Sequence, residues 1–131
     1  SMGGFYAQYL AHAYNKPYIM INPALDPMGL FKEYEGDHTN PHTAEQITVD
    51  SQYREDLKDY YQHPSQRLAS LLLLDKGDEV IAYDLAERLY SVKPIMHKTL
   101  VFEGGDHAFQ HLEQSKDTIK QFISEAVFQN E

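Results

Sequence analysis

The sequence contains no cysteine and no tryptophan. Without cysteine there is no disulfide and no thiolate metal site, and a reducing cytoplasm is the expected location. Basic residues are scarce: 11 lysines and arginines stand against 20 aspartates and glutamates, for a formal net charge of -9. They form no cluster, which excludes the basic face that nucleic acid or an anionic membrane demands of a partner. Long apolar runs are missing as well. The longest, "LASLLLL" at 68–74, falls far short of the roughly 20 residues that cross a bilayer.

What is present suits a soluble domain. With 131 residues, 42% of them hydrophobic and 24% charged, residues 1–131 are expected to form a single domain with a real core. Phe5 to Tyr14 reads as a helix, with Phe5, Tyr9 and Ala13 along one face, ended by Asn15 and Pro17. "YIMI" at 18–21 is a short continuous apolar run stopped by Asn22-Pro23, the mark of a strand buried on both faces. Proline, glycine and asparagine recur from Pro23 to Thr43, so a long loop is expected there, of the kind that forms lids and pocket walls.

Ile47 to Val49 reads as briefly extended before Asp50 or Ser51 caps a helix carrying Tyr53, Leu57, Tyr60 and Tyr61, closed by His63-Pro64. "LASLLLL" fits a strand by its length and by the "DKGD" turn that follows. Ala82, Leu85, Ala86 and Leu89 mark a further helix, "KTLVF" at 98–102 a third strand, and Ile119, Phe122, Ile123, Ala126 and Val127 an amphipathic last helix. Alternation of this kind implies an α/β fold, with parallel strands joined by crossover helices. Three such strands make a poor sheet, and "YIMI" wants neighbours on both sides. The expectation is that an N-terminal part of the fold is missing. The exposed edge would then be covered by that part or in a homo-oligomer.

In an open α/β sheet the ligand site lies beyond the carboxyl ends of the strands. After "LLLL" come Asp75, Lys76, Gly77, Asp78 and Glu79; after "KTLVF" come Glu103, Gly104, Gly105, Asp106 and His107. If the two strands are neighbours, a carboxylate from the first loop orients His107, which is the general base of a nucleophilic hydrolase. Asp78 and Asp75 compete for the acid, and Asp78 is equally placed to cap a helix beginning near Val80. The nucleophile of such enzymes sits in a G-x-S-x-G turn between strand and helix, in chain order Ser, Asp, His. "SMG" at 1–3 matches its second half and runs straight into a helix. Ser-Met is also the scar that tag removal leaves. In "DHTNPH", Asp37, His38 and His42 cluster, but Asn40-Pro41 breaks any helix that would align them. No metal site is expected.

The motifs "SMGGFYA", "INPAL", "NPHTAEQ", "LLDKGDEV" and "GGDHAF" follow one another in the order and spacing of the YqiA-like esterases, a branch of the α/β-hydrolase superfamily that the chain resembles nearly end to end. The family has a hydrophobic residue and glycine at Met2 and Gly3, which argues against a tag scar there. The resemblance implies a serine esterase for small acyl esters or thioesters, working without metal or organic cofactor. Ser1 would be the nucleophile, Asp78 the acid, His107 the base, and the Met2 N–H one oxyanion-hole donor. Asp75 matches no acid position of the family. Family members are longer and carry a second oxyanion donor on an N-terminal loop. The 131-residue chain is therefore expected to be the C-terminal portion of the fold and nearly inactive alone. The rival expectation is a non-catalytic hydrolase-fold binding module.

Overall fold

The structure, a computed structural model, describes residues 2–27, 36–39, 46–49, 51–64, 67–91 and 97–128. Two compact units divide the chain: Ser1–Leu25 with Gln62–Glu131, and Asp26–Tyr61.

In the first unit, helix α1 spans Met2–Tyr14 and strand β1 Tyr18–Ile21. The helix begins earlier than the periodicity from Phe5 predicts, taking Gly3 and Gly4 into its first turn despite their poor helix propensity. Gly4 is required there by close approach, since a Cβ would overlap Pro23. Asn15, at φ +55°, ends the helix in the left-handed conformation, and the Lys16 N–H donates to Ala11 O at 2.9 Å.

Strand β4 (Ser70–Asp75) lies between β1 and β5 (His97–Phe102), both parallel to it, with Ile21 opposite Leu73 and Asp75 opposite Phe102. This is the parallel α/β arrangement expected. Every residue of β4 is buried, which is why it reads as unbroken leucine: successive side chains point to opposite faces, and both faces are covered. Leu72 and Leu74 pack with Ala11 and Tyr18 on one side, together with Ala86 and Tyr90 of helix α3 (Tyr83–Tyr90). On the other side Leu71 and Leu73 pack with Phe109 and with Ile119 and Phe122 of helix α4 (Leu112–Ile123). Ile123 was expected on that face but is 39% exposed. The helix passes into a π-helical turn over Ser124–Phe128, where Ala126 is buried as expected.

In the second unit, β2 (Gly36–Thr39) pairs antiparallel with β3 (Gln46–Val49), followed by helix α2 (Ser51–Leu57) and a 3-10 turn over Lys58–Tyr60. This corrects the expectation of a loop throughout Pro23–Thr43. "GDHT" lacks apolar alternation, yet its backbone supplies the partner that the extended Ile47–Val49 segment needs. The helix also stops before His63-Pro64. Asp50 and the remainder of the expected loop, 28–35 and 40–43, lie outside the described residues. Tyr61 O–H donates to Asp26 Oδ1 at 3.0 Å, and burial, with the Asp26 bond second, pushes the phenol up to about 12. Among the described residues no helix is long and apolar enough to cross a membrane.

Candidate active site

The carboxyl ends of β1, β4 and β5 converge on one rim. Asn22, immediately after β1, is buried at φ +43°, a conformation that asparagine tolerates better than most residues. Its Oδ1 accepts the Asp75 N–H at 3.0 Å, and its Nδ2 donates to Asp106 O at 3.0 Å and His107 O at 3.1 Å. One side chain therefore ties the ends of β1 and β4 to the loop after β5. Gly4 of α1 packs on Pro23, next along the chain, which brings the first turn of that helix to the same rim.

The tight turn after β4 positions Asp78. Lys76 N–H donates to Phe102 O and Gly77 N–H to Gly104 O, at 2.9 and 2.8 Å. No side chain fits at Gly77, where a Cβ would overlap Gly105 O. Asp78 Oδ1 accepts the backbone N–H groups of Val80 and Ile81 at 2.9 and 2.8 Å, which caps a turn and not the expected helix near Val80, since α3 begins only at Tyr83 with Ala82 at its N-cap. It also meets the histidine. His107 Nδ1 stands 3.0 Å from both Asp78 oxygens, with the Asp78 side chain 1% exposed and the imidazole 25%. The capping and acid-partner roles are thus compatible in one residue.

A carboxylate facing an imidazole only accepts, so the proton belongs on Nδ1 and the lone pair on Nε2. The His107 backbone N–H donates to Glu79 Oε2 at 3.1 Å. Asp75, the competing acid, does not partner His107. It is fully buried and binds His111, with Oδ1 and Nδ1 2.6 Å apart.

Met2 is the first residue of α1, and Ser1 lies outside the described residues. His38 belongs to β2 and His42 lies outside the described residues. Among the described residues no group of three or more potential metal ligands forms. Sequence reasoning missed Asn22, Glu79 and the His111 partnership. An asparagine ending a buried strand is the one signal that pointed toward any of them.

A model of the uncharacterised protein family UPF0227 matches residues 1–124. The chain belongs to that family. This is the YqiA-like family that the sequence motifs resemble. Among solved structures, this UPF0227 chain is similar to Est1E from Butyrivibrio proteoclasticus with ferulic acid bound, at TM-score 0.72 and 18% identity, covering 97% of this chain and 57% of that one. Alpha/beta hydrolase domain-containing protein 10 from mouse aligns at TM-score 0.70 and 16% identity, covering 95% and 60%. The esterase domain from a Rhodothermus marinus protein aligns at 0.67 and 14%, covering 93% and 57%. The fold is that of the α/β-hydrolases, and the chain spans under two thirds of the length of these structures.

Proposed function

We propose that this UPF0227 member is a serine hydrolase of carboxylic esters. The observation that carries the reading is the buried Asp78 carboxylate held 3.0 Å from His107 Nδ1 at the carboxyl rim of the sheet. The fold, which hosts esterases among its solved neighbours, supports it. So does the start of α1 on the same rim, where N–H groups of a first helical turn have no partner within the helix.

In this reading His107 Nε2 takes the proton of the Ser1 hydroxyl as its oxygen attacks the ester carbonyl. The Met2 N–H donates to the resulting oxyanion, and a second donor comes from the part of the fold that this chain does not span. Collapse of the tetrahedral intermediate breaks the C–O bond, and His107 returns the proton to the departing alcohol. Water, deprotonated by His107 in turn, frees the acid and restores Ser1. Asp78 holds the Nδ1–H tautomer throughout and stabilises the imidazolium. The substrate is a small acyl ester, and no cofactor enters the scheme.

The test is the intact mass of the full-length protein before and after a serine-reactive phosphonate. A single adduct mapping to Ser1 supports the reading. A protein that stays unlabelled and hydrolyses no p-nitrophenyl ester is a binding module instead.

A further inference from the structure

The loop after β5 carries two imidazoles, each paired with a carboxylate from the end of β4 or the turn after it, and the reaction above uses one pair. The other joins Asp75, the last residue of β4, to His111. Both Asp75 oxygens are committed. Oδ1 meets His111 Nδ1 at 2.6 Å, while Oδ2 accepts the Gln110 N–H at 2.7 Å and the Asp106 N–H at 3.3 Å. Those contacts bracket His107 on both sides in the chain.

The loop is laid directly on this carboxylate. Gly105 has φ +73°, and a Cβ there would overlap Asp75. Phe109 also sits in the left-handed region, at φ +71°, a strained conformation for a bulky residue that persists only where its surroundings over-determine it. Its ring is buried against Leu71 and Leu73, and its backbone is flanked by the Asp75 bonds. The His111 ring lies flat on Phe102, with centroids 4.7 Å apart and planes 5° off parallel, which fixes the direction of its Nδ1.

We propose that Asp75 is a positioning residue for the hydrolysis, clamping residues 106–111 through His111 so that the His107 imidazole stays seated on Asp78. The proposal rests on the reading of His107 as the general base. The division of labour follows from the bonds. Asp78 offers both oxygens to the His107 nitrogen and spends its two backbone bonds, from the Val80 and Ile81 N–H groups, on its own turn, whereas Asp75 accepts the Asp106 and Gln110 N–H groups and so anchors the loop that carries the histidine. A general base gains from this because small displacements of a reacting group cost up to about 10²-fold in rate.

The experiment compares His111→Phe with His111→Asn in the full-length protein. Phenylalanine keeps the stack on Phe102 and removes the N–H that Asp75 accepts; asparagine keeps an N–H near the Nδ1 position. The readouts are the His107 imidazole resonances by nitrogen–proton NMR, and kcat and KM on p-nitrophenyl acetate. In His111→Phe the His107 Nδ1–H signal should shift or broaden and kcat fall about 10- to 100-fold at unchanged KM. His111→Asn should recover most of both. Wild-type His107 signals and kcat in His111→Phe overturn the proposal. Equal inactivation by both variants with the His107 signals unmoved also overturns it, since His111 would then act in the chemistry itself. If the wild-type protein hydrolyses no ester, the hydrolase reading fails, and the NMR arm still decides whether the clamp exists.

Discussion

The three parallel strands end in polar clusters at both ends, and the two clusters are built from different chemistry. At the carboxyl rim stand Asn22, Asp75, Asp78, His107 and His111, joined by carboxylate–imidazole contacts and by a loop with three residues at positive φ. At the amino end stand Tyr18, Ser70 and His97, the first residues of β1, β4 and β5. Tyr18 O–H and Tyr90 O–H are 2.8 Å apart, Gln8 Nε2 donates to the Tyr90 oxygen, and Ser70 Oγ bonds His97 Nδ1. The Tyr90 and His97 rings meet edge to face at 5.1 Å. The amino-end cluster is deeply buried and its partners are hydroxyls and an amide. Such a network specifies packing. The rim pairs imidazole with carboxylate and leaves the imidazoles partly open, which suits proton transfer. A histidine's role here follows from its partner.

The largest expected effect sets these two histidines against each other. In the full-length protein His107→Ala should lower kcat on a p-nitrophenyl ester by about 10²–10⁴-fold or more, the range for losing a general base, with little change in melting temperature. His97→Ala should do the reverse. It takes one of two side-chain partners from the buried Ser70 hydroxyl, the other being Tyr18, and opens a gap beside the Tyr90 ring, at a cost of about 1–3 kcal/mol, and leaves kcat within a few-fold. Parallel kinetics and denaturant titrations decide. Similar kinetic losses from both would erase the distinction between the two ends.

Next in size is a glycine comparison. Gly105→Ala combines a left-handed φ of +73° with overlap onto Asp75, and should destabilise by at least about 1–3 kcal/mol. Gly3→Ala meets nothing within 4 Å and lies in a helix, so it should stabilise by roughly 0.5–1 kcal/mol. Urea midpoints of the two variants test this. Gly105→Ala with wild-type stability would mean that the loop does not press on Asp75.

These contrasts explain what the sequence made legible. The order of strands and helices followed from apolar runs and periodicity, and the rim followed from the rule for strand ends. The meeting of a carboxylate with His107 was therefore readable from residue order, and the family motifs chose Asp78 over Asp75. The Asp75–His111 pair was not readable, because two aspartates follow the same strand. Their choice of partner is set by a loop whose course depends on positive φ at Gly104, Gly105 and Phe109. A pattern reader expects that conformation of glycine but not of phenylalanine. The β2 strand escaped for another reason: its pairing with β3 rests on backbone groups that every sequence carries.

A smaller effect distinguishes the two ends by pH. Burial raises the Tyr18 and Tyr90 phenols above the ordinary 10.0, whereas the rim holds carboxylates and imidazoles. Above pH 10.0 the unfolded chain releases phenol protons that the native chain retains. The native state then binds more protons, and stability falls as pH rises. The contribution is fully present below 10.0 and is lost toward the folded values above it, with Tyr61 in the second unit adding to the same decline. Tyr90→Phe should reduce the steepness of this fall. At neutral pH it should cost about 1–3 kcal/mol, because the buried Gln8 Nε2 loses the acceptor it donates to and the Tyr18 hydroxyl keeps only Ser70. Unfolding curves across neutral to alkaline pH measure both. An unchanged alkaline slope would remove Tyr90 from the account.

The smallest effect tests whether position on the rim matters apart from burial. Lys76 follows Asp75 directly and pairs with Glu103 at 2.6 Å, yet the lysine side chain is 38% exposed and the glutamate 84%, against a fully buried Asp75. Glu103, first by its hydrogen bond, raises the ammonium above its ordinary value. The pair's stabilising effect is therefore present at neutral pH and lost as pH rises through the lysine's folded value. Water and salt screen a pair so exposed, and such pairs contribute little. Lys76→Ala should leave the urea midpoint within experimental scatter, and any residual difference should vanish in about 1 M salt, where the screening length shrinks to roughly 3 Å. A clear loss that survives high salt would mean that the lysine side chain, whose Nζ lies 5.8 Å from the Tyr83 ring centroid, braces the turn against that ring, and the contrast between neighbouring residues 75 and 76 would have to be redrawn on contact with Tyr83 instead of the ion pair.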